Sequence, residues 1–213
     1  MEGKLIVLEG IEACGKGSAV PSILKWFADR GLRTLHTREP GGTAYGEALR
    51  ELLISKDHNA PPISDALGFY GARCDHTQNM IIPALQQGIY VICERYADSS
   101  LAYQVSSCPE VRAVHELCKP HLLEPDLVLF LDISADTSLV RMEKRRIEKK
   151  IPLDKFESKG YDYLNQVRYN YTELALDESG HIKQNWRVVD AEQSPEEVVA
   201  DIESYLAAFM RAA

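Results

Sequence analysis

The apolar residues of the chain fall into two kinds of run. Five short stretches, at 5–8, 34–37, 89–93, 127–133 and 186–189, are rich in apolar and β-branched residues. Runs of this length and make-up read as strands covered on both faces. Longer stretches near 18–30, 43–54, 63–82, 108–119, 135–149, 158–176 and 195–210 carry apolar residues at helical spacing. Strand and helix therefore alternate, which predicts parallel pairing through right-handed crossovers. The expected fold class is α/β: three layers, with a five-stranded parallel sheet flanked by helices. The 213 residues contain no repeat, low-complexity tract or interdomain linker, so 1–213 reads as a single domain able to bury a sizeable core. A turn, Asn59-Ala-Pro-Pro62, precedes a helix that starts near Pro62 or Ser64.

Composition narrows the classes of partner. A net charge of −8 argues against broad nucleic-acid or acidic-membrane binding, which needs an extended basic face. Anionic small molecules stay compatible if cations are concentrated locally. No apolar stretch approaches the roughly 20 residues of a membrane span. Met1-Glu-Gly-Lys4 leads straight into the first strand, so no signal peptide is expected. Five cysteines without metal-type spacing fit reduced thiols and a cytoplasmic protein.

In open parallel sheets, ligands sit beyond the carboxyl ends of the strands, so unusual polar residues should follow strands. They do. Glu9 to Ser18 follows the first strand, Arg38-Glu-Pro-Gly-Gly-Thr43 the second, and Glu94-Arg-Tyr96 the third, while Asp132 ends the fourth. Gly10-Ile-Glu-Ala-Cys-Gly-Lys-Gly17-Ser18 has the strand, Gly-x-x-x-x-Gly-Lys, helix layout of a nucleotide phosphate cradle. Backbone N–H groups of Gly10, Ala13, Cys14, Gly15, Gly17 and Ser18 would surround a polyphosphate, and Lys16 would place a point charge on its outer phosphates. A glycine-rich turn that binds nothing is the competing reading, and the flanking strand and helix favour the cradle. The position after the lysine usually supplies a Ser or Thr hydroxyl for Mg²⁺. Here it is Gly17, so Ser18 becomes the candidate ligand, together with Glu94, directly or through water.

Four further groups suggest an acceptor. Arg95 would reach between donor and acceptor phosphates, where a fixed cation stabilises moving charge. Pro40 and two glycines bend the chain after Arg38, and Arg38 with Arg50 offers guanidinium forks suited to a monophosphate. Phe69 and Arg73 are four residues apart on a helix, so they share a face that can stack and hydrogen-bond a nucleobase. A core phenylalanine beside a surface arginine is the alternative. Ser99-Ser-Leu-Ala-Tyr-Gln104 adds hydroxyls and an amide able to read base edges or sugar, or simply to cap a helix. The basic stretch Arg141-Met-Glu-Lys-Arg-Arg-Ile-Glu-Lys-Lys150, with Asp154-Lys-Phe-Glu157 after it, reads either as a mobile flap over ATP or as a solvated charged helix. Arg141 and Arg145 share one of its faces, and Pro152 is expected to end the helix.

These residues together resemble the thymidylate kinase family, P-loop enzymes that phosphorylate dTMP with ATP. The resemblance rests on Leu8-Glu-Gly-Ile-Glu12 with Gly15-Lys16, Thr37-Arg-Glu-Pro-Gly-Gly-Thr43, Phe69 with Arg73, and Glu94-Arg-Tyr96. Ser99-Ser100 with Ala102-Tyr-Gln104, Glu124-Pro-Asp-Leu127 through Leu131-Asp132, and Asp154-Lys-Phe-Glu157 complete it. The Thr-Arg-Glu-Pro-Gly-Gly-Thr run is specific to the bacterial-type branch. The resemblance implies the P-loop NTPase fold with a small helical lid at about 141–157, Mg²⁺ with ATP as phosphoryl donor, dTMP as acceptor, and a homodimer formed through helices that include the one bearing Phe69.

It also implies roles. Glu12 would contact the 3′-hydroxyl of dTMP, Phe69 would stack on thymine, and Arg73 would hydrogen-bond it with help from Gln104. Arg38, Arg50 and Arg95 would hold the acceptor phosphate, while Ser99, Ser100 and Tyr103 line the nucleoside pocket. Catalytic charge would come from Lys16, Arg95 and a lid arginine, Arg145 or Arg146, with Arg141 nearer ATP. Four departures stand out: Gly17, Glu94 in place of an aspartate, Val105-Ser-Ser-Cys-Pro109 in place of a Gly-rich continuation, and Lys155 in place of an arginine. They bear on rate and substrate range, leaving open a broader deoxynucleotide kinase or a nucleotide binder with weak turnover.

Overall fold

The computed structural model describes residues 3–150 and 152–212. Five strands, β1 (Leu5–Glu9), β2 (Thr34–Arg38), β3 (Tyr90–Glu94), β4 (Leu127–Asp132) and β5 (Trp186–Asp190), form one sheet in the order β2-β3-β1-β4-β5. All four pairings are parallel. Every residue of β1 is buried, as expected of a central strand covered on both faces. Phe27, Val91, Leu129 and Val189 are buried with it, and Phe130 stacks on Tyr171 at 5.4 Å between ring centres. The core therefore grips β1, β3, β4 and β5, while the edge strand β2 is only partly covered and packs Leu35 against it, and the polar business is left to the carboxyl edge.

Register brings the motifs to that edge together. Leu8 and Arg38 both pair with Glu94, on opposite sides of β3. The ladder continues past the strand ends: the Glu39 N–H donates to the Glu94 carbonyl, and the Arg95 N–H to that of Leu8, each at 2.9 Å.

The helices are α1 (Lys16–Ala28), α2 (Ala44–Ile54), α3 (Pro62–His76), α4 (Ile82–Gln86), α5 (Ala97–Gln104), α6 (Val111–Cys118), α7 (Ala135–Lys149), α8 (Tyr161–Ala175) and α9 (Pro195–Ala212). Two differences from the sequence expectation have physical causes. The helix expected at 63–82 runs on through a π-type turn, Thr77–Ile81, into α4, and the wide turn precedes Pro83, which lacks an N–H to donate. Helix α5 was not expected at all. Six of its eight residues are buried, among them Ser99, Ser100 and Gln104, so it shows no polar-against-apolar stripe from which a helix could be read.

Helix α7 stops at Lys149 with Lys150 in the left-handed region (φ 53°), ahead of Pro152. Beyond it, Asp154 Oδ1 accepts from the N–H groups of Phe156 (2.8 Å) and Glu157 (2.9 Å), bending the chain into the short 3-10 turn Glu157–Lys159. No described helix is long and apolar enough to cross a membrane.

Candidate active site

A cleft of about 820 Å³ opens at the carboxyl edge of the sheet, between the glycine-rich loop, α2, α3, α5 and α7. At one end lies the phosphate loop. Helix α1 begins at Lys16 with no side chain capping it, so its first N–H groups have no capping partner at the cleft. Gly17 and Ser18, in that first turn, are exposed and line the cleft with Ala13, Cys14 and Gly15. Lys16 is folded over the loop: its Nζ donates to the carbonyls of Gly10 (3.0 Å) and Ile11 (3.1 Å) and lies 3.2 Å from Cys14 Sγ.

The missing hydroxyl at position 17 has a local counterpart. A Cβ added to Gly17 would stand 3.6 Å from Glu94 Oε2. The longer side chain of Glu94 thus brings a carboxylate into the space that a residue-17 side chain would share. His36, on the neighbouring strand, fixes its other oxygen, with Nε2 2.9 Å from Oε1. Glu94 and Ser18 are oxygen donors beside the α1 terminus, the make-up that a hard divalent cation requires, so these residues fit Mg²⁺.

Arg95 occupies the middle of the cleft. Its backbone is left-handed (φ 66°), unusual for a non-glycine residue and characteristic of positions held in place for function. Its Nη1 donates to the Gly10 carbonyl and its Nη2 to Glu12 Oε1, both at 3.1 Å, and the guanidinium lies 4.8 Å from the Tyr103 ring centre. Glu9, buried below, accepts from the Tyr96 N–H (2.8 Å) and from the Ser99 and Tyr171 hydroxyls (2.7 Å each). Both hydroxyls lie 3.4 Å from Arg95, so Glu9 holds the arginine's surroundings rigid.

Arg38 and Arg50 stand across from the loop. Arg38 forks onto Glu47 at 2.7 and 3.1 Å, and this pairing, with the Gly42 N–H, holds the Glu47 pKa down at about 2. Arg50 donates to the Pro40 carbonyl at 2.9 Å. Burial, and then the neighbouring charge of Arg38, lower its pKa more than the carboxylates of Glu47 and Asp154 raise it, so this guanidinium has room for further anionic compensation. A phosphate dianion would supply it.

Beyond them is an aromatic-walled pocket. Phe156 stands 5.9 Å from both Phe69 and Tyr103, edge-on in each case. The Tyr103 hydroxyl donates to Glu12 Oε2 at 2.8 Å. Arg73 is 2% exposed and donates Nε to Glu39 Oε2 (2.6 Å) and Nη1 to Ser100 Oγ (3.0 Å). Gln104 lines the same cleft, and its Oε1 is the one buried side-chain polar atom among the described residues without a hydrogen-bond partner. An unmet acceptor at a cleft wall marks a place where a ligand donor belongs.

On the α7 side, Arg141 and Arg145 line the cleft. Arg141 donates to the Ala191 carbonyl at 2.9 Å, and Arg145 pairs with Glu157. Arg146 does not join them. It lies on the outer surface of α7, forked onto Glu143 at 2.6 Å, because the 3.6-residue turn carries position 146 away from the face shared by 141 and 145.

Sequence reasoning brought Lys16, Glu12, Arg38, Arg50, Phe69, Arg73, Glu94, Arg95, Tyr103 and Gln104 to this cleft, and all of them line it. It gave no role to Glu9, Glu39, Phe156, Glu157, His76 or Tyr171. Four of these stood inside quoted motifs, so adjacency was the available signal. For His76 the signal was its spacing of three from Arg73 on one helix. Tyr171 carried none.

A phosphate loop facing a cluster of arginines across the edge of a five-stranded parallel sheet defines a P-loop kinase. The family model for thymidylate kinase matches residues 8–202, and the chain belongs to that family. It is 36% identical over 209 residues to a thymidylate kinase of Neisseria gonorrhoeae (strain NCCP11945), covering 97% of each chain. It is 36% identical to that of Chromohalobacter salexigens, over 96% of this chain and 95% of the relative. The thymidylate kinase of Methylococcus capsulatus is 38% identical over 194 residues, covering 90% and 88%.

Proposed function

We propose that the protein transfers the γ-phosphoryl group of ATP to dTMP, giving dTDP and ADP. The observation that carries the reading is that Arg73 and the unsatisfied Gln104 acceptor line the same cleft as the phosphate loop, together with Phe69, Tyr103 and Phe156. Thymine offers a ring carbonyl to the one and a ring N–H to the other. Phe69 supplies a stacking face. Tyr103 underlies the deoxyribose, and Glu12 takes the 3′-hydroxyl. Ser99 and Ser100 hold the pocket's inner wall.

The reaction needs no covalent intermediate with the protein. An acceptor phosphate oxygen attacks the γ-phosphorus in line, so catalysis is positioning plus charge stabilisation. Arg38, Arg50 and Arg95 hold the acceptor phosphate. Lys16, with the N–H groups of the loop, holds the donor, and Arg141 lies toward the nucleotide's far side. Ser18 and Glu94 would hold Mg²⁺, which when bound would neutralise negative charge on the donor phosphates. Residues 141–157 act as the lid of a single domain, and Arg145 supplies its catalytic cation.

The apolar residues Tyr45, Leu52, Ile63 and Leu67, each at least 38% exposed on the adjoining helices α2 and α3, support a homodimer through this surface. Free thiols and nucleotide substrates support a cytoplasmic enzyme. An assay of ADP release with ATP and each nucleoside monophosphate tests the central reading. dTMP is expected to be the preferred acceptor, and an enzyme that releases no ADP with dTMP overturns it.

A further inference from the structure

A buried cluster beneath the acceptor pocket takes no part in the reaction as derived. Glu39, His76 and Cys93 each place a ligand-type atom within 4.8 Å of the other two. The trio has the make-up of a metal site, but its donors are committed elsewhere. Glu39 Oε1 lies 3.0 Å from His76 Nδ1, and Glu39 Oε2 accepts from Arg73. The Cys93 thiol donates to the Arg95 carbonyl at 3.1 Å, and burial pushes its pKa well up, away from the thiolate a metal would need.

What remains is a line of hydrogen bonds. His76 Nε2 lies 2.8 Å from Thr37 Oγ1, so the line runs from Thr37 through His76, Glu39 and Arg73 to Ser100. None of the five residues is more than 7% exposed. In such a dry setting each bond is stiff, and a missing one leaves its neighbour unpaired. The backbone seals the far side: at Gly42 (φ 84°) a Cβ would stand 2.5 Å from the His76 ring. Arg73 is thus held by Glu39 on one edge and by Ser100 on another, with Tyr70 below it at 4.7 Å. Its Nη2 is left to serve the pocket. Arg73 meets the ligand, Glu39 orients Arg73, and among the described residues His76 is the only side chain that fixes the second oxygen of Glu39.

We propose that His76 is a positioning residue for base recognition: by locking Glu39 it aims Arg73 at the ring carbonyl of the acceptor base, which His76 itself never touches. The inference rests on the dTMP reading above and adds the residue that sets its selectivity.

The test compares dTMP with an analogue lacking the ring 4-carbonyl oxygen, using wild type, His76→Leu and His76→Asn. Wild type should favour dTMP by about 100-fold in kcat/KM, because a site built around a hydrogen bond rejects the analogue that cannot make it. In His76→Leu this preference should fall to about tenfold or less, with the dTMP KM raised about tenfold and the ATP KM and kcat within about twofold. His76→Asn, whose amide N–H can stand in for Nδ1, should recover most of the preference. A folded His76→Leu enzyme that keeps the wild-type preference, or whose ATP KM rises in parallel, overturns the inference alone. If that variant does not fold, Thr37→Val decides: it should lower the preference by about threefold, and no change overturns the inference. A wild-type enzyme inactive toward dTMP overturns both readings together.

Discussion

Single residues in this cleft are defined by what holds them. Arg95 combines a left-handed backbone with contacts to Gly10, Glu12 and, through two hydroxyls, Glu9. A cation fixed in this way would need little reorganisation when charge moves toward it, which is the basis of the catalytic role proposed for it. Arg95→Ala should therefore lower kcat by at least about 100-fold, on the scale of other lost electrostatic stabilisers, with thermal unfolding little changed. Single-turnover kinetics on the purified variant, alongside a melting curve, check both halves. An unchanged kcat would remove Arg95 from the mechanism.

At the scale of elements, α7 offers the clearest separation. Arg145 and Arg146 are neighbours in sequence, yet one lines the cleft and the other pairs with Glu143 on the outer surface. Arg145→Ala is expected to reduce kcat by about 10²-fold or more, while Arg146→Ala, an exposed pair of little energetic weight, should stay within about twofold. Side-by-side turnover numbers for the two variants decide the assignment, and the reverse order would refute it. The same contrast shows where sequence reading ran out. Strand runs and their order were legible because a parallel sheet buried on both faces writes continuous apolar segments. The site was legible wherever a motif followed a strand, as with Lys16, Arg38 and Glu94. Helix α5 was hidden because burial on all sides erases periodicity, and the choice between Arg145 and Arg146 needed the actual face that α7 turns to the cleft. Tyr171 was hidden for another reason. It reaches Glu9 from a position 162 residues away in sequence, a distance across which no local spacing speaks.

For the whole molecule, the acidic composition and the local cluster of cations fit together. The chain carries a net charge of −8, while Lys16, Arg38, Arg50, Arg73 and Arg95 converge on one cleft, so anions are drawn to a single place. The helices that carry Arg50 and Arg73 also carry the exposed apolar side chains Tyr45, Leu52, Ile63 and Leu67. Leu67, 53% exposed, is among them. Leu67→Glu should convert a dimer to a monomer in sedimentation-velocity runs, by placing two like charges in an apolar contact. Wild-type protein that sediments as a monomer at micromolar concentration would exclude the dimer.

The ladder bonds from Glu39 to Glu94 and from Arg95 to Leu8 carry a last consequence. They extend the sheet into the loops on which the two substrate ends are mounted. The gap between those ends is therefore ruled off in strand widths of about 4.8 Å, a gauge that loops cannot stretch.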